Sequence, residues 1–163
     1  MPPPARYNTG YNVGVGGAVV HAGRILLVRR SSRRGRGNWQ VPGGFIEPEE
    51  TIEQAVVREV EEESGVTAAV EGILGVRNRC APDVGNSLYI VLLLRPLRGE
   101  PTPDGKEVDR AGYFSWPEIQ TLEPVPSINL EIAQRALSSE QRLLMPQLLT
   151  HHVTGLPYTL FVG

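Results

Sequence analysis

One stretch constrains this 163-residue chain more than any other, the run from Gly44 to Val66. It carries a helix with its own start and stop signals. Thr51 and Gln54 match a capping box, in which a hydroxyl and an amide satisfy free backbone N–H groups at a helix start. Pro48 lies ahead of that start, where it costs nothing. Ile52 to Glu63 contain acceptable helix formers, although Val56, Val57 and Val60 are mediocre ones. Gly65 stands where a glycine C-cap is expected. The segment therefore reads as a helix over Ile52–Ser64. At about 100° per residue, Ile52, Ala55, Val56, Glu59, Glu62 and Glu63 share one face, while Gln54 and Glu61 point away. The first half of that stripe should pack on a core, and the second half should line whatever opens beside it.

Glu61-Glu62-Glu63 could be an ordinary solvated acidic run. Three features favour a cation site instead. Two of the three glutamates project to the apolar side. Negative charge at a helix C-terminus opposes the macrodipole. Glu59 and Glu63, at i and i+4, repel each other. A bound cation would offset these costs, and oxygen-only ligands suit magnesium or manganese rather than zinc.

The spacing G-x5-E-x7-R-E-U-x-E-E-x-G-U, with U apolar, resembles the signature of the Nudix hydrolase family. Gly44, Glu50, Arg58, Glu59, Val60, Glu62, Glu63, Gly65 and Val66 fill its defined positions, and Trp39-Gln-Val-Pro-Gly43 resembles the usual lead-in. With the surrounding strand pattern, the resemblance extends over roughly residues 12–138. It implies an α/β fold, the Nudix α/β/α sandwich with a mixed sheet between helices. It also implies hydrolysis of the pyrophosphate in a nucleoside diphosphate linked to another moiety, releasing a nucleoside monophosphate. Glu59, Glu62 and Glu63 would hold Mg2+, or Mn2+, helped by the Gly44 carbonyl. Arg58 and Glu50 would pair and orient the glutamates. Gly43 and Gly44 would let the backbone approach substrate without a Cβ. Metal ions would neutralise phosphate charge and lower the pKa of bound water. Some family members carry a further ligand or base after a long strand, which makes Glu107 a candidate ahead of Asp104 and Asp109. Which carboxylate is the general base stays open.

The alternatives are a nucleotide-sensing module on the same scaffold and an isomerase of the isopentenyl-diphosphate type. Sensors commonly lose the glutamates that this chain keeps. The isomerase needs a cysteine in a context that Cys80 does not provide. Substrate choice lies outside the motif. Pro82 falls 16 positions after Val66 (82 − 66), where ADP-ribose pyrophosphatases often carry a proline. The upstream motif of the coenzyme A subfamily and the downstream motif of the NADH subfamily are absent. Oxidised nucleotides, nucleotide sugars and dinucleoside polyphosphates stay open.

The rest of the chain reads as one domain. Residues 1–11 are expected to be an arm, 12–145 the catalytic domain, and 146–163 an extension packed on the domain or on a partner subunit. Strands are expected over Val13–Val20, Arg24–Val28, Val70–Arg79, Ser87–Leu97 and Ala111–Ser115. A helical turn is expected near Pro117–Leu122 and a helix over Ile128–Leu137. Gly14, Gly16 and Gly17 weaken the first strand and suggest a bulge or close packing. Arg29, Arg30, Arg33, Arg34 and Arg36 crowd one loop, either a solvated hairpin or a flap that draws phosphates in. Arg29 ends a strand and is the substrate-binding candidate among them. Trp39, Tyr89 and Phe45 could stack on a base but read as packing residues.

A net charge of −2 and a pI near 5.9 give no global attraction to nucleic acid, and the resemblance implies a small nucleotide as the partner. Cys80 is the sole cysteine, which excludes an internal disulfide and fits a cytoplasmic location. It should be a buried or half-buried packing residue. No apolar run reaches transmembrane length, and the N-terminus lacks a signal-peptide core. Adjacent His151 and His152 would point in different directions in any regular element, so a shared metal is not expected. A homodimer through the arm or the tail is compatible with the resemblance.

Overall fold

The computed structural model describes residues 11–32, 35–82 and 85–163. The expected arm, apart from Tyr11, and Arg33 and Arg34 of the basic loop lie outside the described residues. The elements run β1 (Tyr11–His21), β2 (Arg24–Arg30), β3 (Trp39–Gln40), β4 (Gly43–Phe45), α1 (Ile52–Ser64), β5 (Thr67–Ala81), β6 (Gly85–Arg98), β7 (Val108–Phe114), α2 (Trp116–Ile119), α3 (Ser127–Ala136), β8 (Met145–Thr150) and β9 (Pro157–Val162).

Strands β1 to β7 form one mixed sheet with the path β3-β2-β1-β6-β5, while β4 adds to β1 and β7 to β2. The β1–β6 pair is parallel, from Tyr11 opposite Asn86 to Val19 opposite Leu94. The other pairs are antiparallel. The β1–β2 hairpin turns on Ala22 and Gly23, both with positive φ (50° and 73°), the backbone that suits the twist of a two-residue loop.

Alternation along the strands divides the core in two. Val15, Val19, Leu92 and Leu94 face α1 and meet Ala55, Val56 and Val60. Ala18, Ile25, Leu27, Val91 and Leu93 face the other way and meet Ile119 of α2 and Ile132, Ala133 and Ala136 of α3. The α/β/α arrangement follows, with one glutamate-bearing helix against one face of the sheet.

The β1 glycines serve close packing, since the β1–β6 register runs without a shift. A Cβ on Gly17 would come within 2.5 Å of Val60 Cγ2, so α1 can sit this near the sheet only over a glycine. On the opposite face a Cβ on Gly16 would meet the Tyr89 hydroxyl at 2.1 Å.

Both helix caps read from sequence are present at α1. Thr51 Oγ1 accepts from Gln54 N, Gln54 Oε1 accepts from Thr51 N, and Gly65 adopts a left-handed φ of 71°. One expectation fails. Cys80 is exposed, because it lies far along the β5–β6 hairpin, opposite Asn86, beyond the helix cover. The His151 and His152 rings stack, 5.0 Å apart and 25° from parallel, because they occupy a turn rather than a regular element. His151 Nδ1 is used up accepting from Val153 N and Thr154 N. β3 and β4, two and three residues long, carry no sequence signal of their own. The last segment forms a separate β8–β9 ribbon. A bridge between Leu144 and Ile73 ties it to β5, and Phe161 packs against the α1-side core.

Candidate active site

The site forms where β4 crosses the last turns of α1. β4 is held against β1 with Val15 opposite Gly44 and Gly16 opposite Gly43, and Gly17 N donates to Pro42 O at 2.8 Å. Buried Asn129 of α3 fixes the approach to this strand, its Oδ1 accepting from Val41 N at 3.0 Å. Sequence reasoning did not single out Asn129. A polar residue on an otherwise inward helix face was the available signal.

Both glycines are required by contact. A Cβ on Gly43 would lie 2.1 Å from Val15 O, against backbone. A Cβ on Gly44 would lie 2.5 Å from Glu59 Oε1, so the Glu59 carboxylate occupies the space that any larger residue would fill.

Arg58 organises the acidic residues. It makes a two-pronged contact with Glu50, Nε to Oε2 at 2.9 Å and Nη2 to Oε1 at 2.7 Å. Its Nη1 donates to Glu59 Oε1 at 2.9 Å and to Glu62 Oε2 at 3.1 Å, and its Nη2 reaches Phe45 O at 3.2 Å. Glu50 also accepts from Glu47 N, which locks the loop before the helix. The bond from Arg58 holds the Glu50 carboxyl below the usual carboxylate range, and the partners raise the Arg58 pKa.

Glu59 and Glu63 shift the opposite way from Glu50. Glu63 is 4% exposed and accepts a hydrogen bond from Gly43 N at 3.3 Å. Burial, then the charges of Glu59 and Glu107, push its pKa up to about 8. Burial also raises Glu59, against the pull of Arg58. These are desolvated like charges kept together. The Glu62 side chain is 59% exposed and turned towards Arg58. Among the described residues no three acidic, histidine or cysteine side chains close around one point. Glu59, Glu63 and the nearby Gly44 carbonyl are nonetheless all oxygen donors, and the carboxylate filling the Gly44 cradle is a feature a divalent cation could use. The residues present fit an oxygen-liganded ion of the magnesium type.

The loop before β7 sorts its three carboxylates. Asp104 Oδ1 accepts from the backbone N–H groups of Lys106, Glu107 and Val108, which makes it a turn residue. Asp109 is taken by Arg29, Nε to Oδ1 at 2.8 Å and Nη2 to Oδ2 at 2.9 Å. Glu107 remains, and its charge is felt at both Glu59 and Glu63. Arg29 is thus committed to Asp109 and is not brought to the acidic cluster. Arg30 acts there instead, favouring the charged form of Glu63. Trp39 is buried edge-on to Phe114, while Phe45 stays 53% exposed beside the site.

Known proteins match this chain in domain family and in fold. The NUDIX domain model matches residues 10–136. An ADP-ribose pyrophosphatase of Methanocaldococcus jannaschii is 38% identical over 111 residues, 68% of this chain and 65% of that protein. The NAD-capped RNA hydrolase NudC of Pseudomonas aeruginosa is 33% identical over 130 residues, 75% of this chain and 45% of that protein. Among solved structures, a MutT NUDIX hydrolase from Burkholderia pseudomallei superposes with a TM-score of 0.66 at 29% identity, covering 76% of this chain and 96% of that one. The chain belongs to the NUDIX family. It spans less than two thirds of the length of the curated relatives it matches.

Proposed function

We propose that this chain is a divalent-metal-dependent hydrolase that cleaves the pyrophosphate of a nucleoside diphosphate linked to another moiety and releases a nucleoside monophosphate. One observation carries the reading. Glu59 and Glu63 are held desolvated beside Gly44 and Gly43 by a helix register that leaves Arg58 free to brace Glu59. Magnesium or manganese, when bound, supplies charge neutralisation at the phosphate oxygens and a more acidic water.

The protein's own residues do the rest. Glu59, Glu62, Glu63 and the Gly44 carbonyl hold the ion. Arg58, itself fixed by Glu50, sets the Glu59 and Glu62 rotamers. Gly43 presents its N–H to Glu63 and keeps that carboxylate aimed along β4. Glu107, whose charge acts on Glu59 and Glu63, is the carboxylate left to take a proton or add a ligand.

An ADP-ribose-like substrate is favoured by the M. jannaschii relative's name and by Pro82, which lies in the β5–β6 turn. A cytoplasmic setting is consistent with a single free thiol. A homodimer through the β8–β9 ribbon is supported by its exposed Leu148, Tyr158, Leu160 and Val162.

The test is incubation with magnesium and ADP-ribose, NADH, diadenosine polyphosphates and oxidised dGTP, with detection of released monophosphate. Glu63→Gln should cut kcat by orders of magnitude while the fold is retained. Turnover of none of these, together with tight binding of one, would replace the hydrolase with a nucleotide sensor. An unchanged kcat in Glu63→Gln would remove Glu63 from the machinery.

A further inference from the structure

The loop before β7 is fixed more firmly than its exposure requires. Asp104, Gly105, Lys106 and Glu107 are all exposed, and exposed loops are ordinarily the mobile parts of a fold. Here the backbone polar groups around Glu107 are taken up. The N–H groups of Lys106, Glu107 and Val108 all donate to Asp104 Oδ1, at 2.8, 3.0 and 3.0 Å. The three carbonyls accept in turn. Lys106 O accepts from Ser31 Oγ at 2.9 Å, Glu107 O from Ser31 N at 2.8 Å and Val108 O from Gly105 N at 3.0 Å. Gly105 takes the left-handed φ of 74° that closes the turn.

Ser31 reaches this loop because of an irregularity in the sheet. The β2–β7 ladder pairs Arg29 with Arg110 and Arg30 with Val108, so Asp109 is the extra residue of a β-bulge. A regular ladder would bring Ser31 opposite Val108, and the bulge brings it opposite Glu107 instead. Bulges re-aim side chains beside active sites. One side chain is left out of this network. The Glu107 carboxylate has no hydrogen-bond or ion-pair partner among the described residues, while its charge acts on Glu59 and Glu63. A backbone held at each of its polar groups, carrying one uncommitted carboxylate, is the arrangement that preorganises a reacting group on a loop.

We propose that Ser31 and Asp104 are positioning residues for Glu107. They fix the backbone from Lys106 to Val108, Ser31 by tying it to the end of β2 and Asp104 by closing the turn on itself. The free Glu107 carboxylate therefore keeps one position. The inference rests on the hydrolase reading and adds to it two residues that act only through Glu107.

The experiment compares wild type with Ser31→Ala, Ser31→Thr, Asp104→Ala, Asp104→Asn, Glu107→Gln and the double variant Asp104→Ala/Glu107→Gln. For each, kcat and KM are measured with magnesium on whichever of ADP-ribose, NADH, diadenosine polyphosphates and oxidised dGTP wild type turns over fastest. Melting temperature and amide hydrogen exchange are recorded alongside. Asp104→Ala should lower kcat about 10–100-fold with KM little changed, the size expected when a reacting group is misplaced by about 1 Å. Ser31→Ala should lower it less, because the Ser31 N–H bond to Glu107 O remains. Asp104→Asn keeps the acceptor and Ser31→Thr keeps the hydroxyl, so each should recover most of the loss. In the Glu107→Gln background Asp104→Ala should cost nothing further, as expected of residues that act as one unit. The amides of Lys106, Glu107 and Val108 should be protected from exchange in wild type and lose that protection in Asp104→Ala. A loss that adds in full to that of Glu107→Gln would overturn the proposal, as would a fall in Asp104→Asn equal to that in Asp104→Ala. If Asp104→Ala does not fold, Ser31→Ala, alone and combined with Glu107→Gln, carries the same test. Turnover by wild type with kcat indifferent to both alanine variants would sink the positioning role and keep the hydrolase. No turnover of any nucleotide by wild type, with amide protection still lost in Asp104→Ala, would sink the hydrolase and keep the loop-holding role.

Discussion

Glu63 makes the stability of the protein depend on pH in a direction most carboxylates do not. Its folded pKa is raised from 4.5 to about 8, chiefly by burial and then by the charge of Glu59. A raised acid holds its proton in the folded state while the unfolded chain has lost it. Between these two values the folded state binds more protons, so stability falls as pH rises. The contribution is fully present below the unfolded pKa and is gone above the folded one. Glu59 is shifted the same way and adds to the slope. Glu50, held low by Arg58, titrates on the acid side and does not oppose it in this window. Each pH unit crossed inside the window costs up to ~1.4 kcal/mol. Moving from about pH 5.5 to about pH 7.5 should therefore remove roughly 1–3 kcal/mol, a drop in Tm of roughly 3–8 °C for a chain of this size. The assay is thermal unfolding in chelator across that range, for wild type and Glu63→Gln. The glutamine variant should be more stable than wild type at the upper pH and should lose most of the slope. Excess magnesium should reverse the trend, because an ion that binds the ionised pair stabilises the folded state more as the protons leave. A wild-type Tm that is flat or rises over the range in chelator, or an equal slope in Glu63→Gln, would refute the reasoning.

Three further outcomes follow from contacts in the site and the core. Gly17→Ala places a methyl 2.5 Å from Val60 Cγ2 and 3.2 Å from Val56 Cγ2, so α1 must shift. It should lose roughly 1–3 kcal/mol in chemical denaturation. Gly44→Ala presses on the flexible Glu59 carboxylate rather than on backbone. It should keep the fold while weakening manganese binding about 10–100-fold by titration. Arg29→Ala removes only the exposed pair with Asp109, so KM and kcat measured on the substrate that wild type turns over should stay at wild-type values.

The helix and its cargo were readable because each signal is local. Thr51, Gln54 and Gly65 act within one turn of themselves, and the placement of Glu59 and Glu63 follows from helix geometry alone. The long strands were readable from apolar runs and alternation, with ends extended by pairing partners that periodicity cannot see: β5 begins at Thr67 rather than Val70, and β2 continues to Arg30 through its ladder with β7. What stayed hidden depends on tertiary register. β4 is three residues long, and it exists because Gly17 N and the β1 edge are there to hold it. The exchange of Arg29 for Arg30 has the same origin. Both arginines end β2, but neighbouring residues on a strand face opposite ways. Only the position of β7, which brings Asp109 to Arg29, decides which one is consumed. Exposed Cys80 shows the converse: its residue type suggests burial, and the length of the hairpin overrides it.

Arg58 joins these two levels. In sequence it is one cation among nearby glutamates, and the family resemblance implies that it pairs with Glu50 and orients the others. In the structure it bonds to Glu50, Glu59, Glu62 and the Phe45 carbonyl, so it fixes the loop, the helix and β4 with a single side chain. Glu63, one helical turn beyond Glu59, has no such partner and carries the raised pKa. The chain gives the positioning carboxylates an arginine partner and leaves buried Glu63 without an ion pair among the described residues. An all-paired acidic cluster would be more stable and would have little remaining affinity for a dication. The unbalanced one gives up stability near neutral pH and keeps that affinity, and this is why the pH slope of the Glu63→Gln variant and its manganese titration should change together.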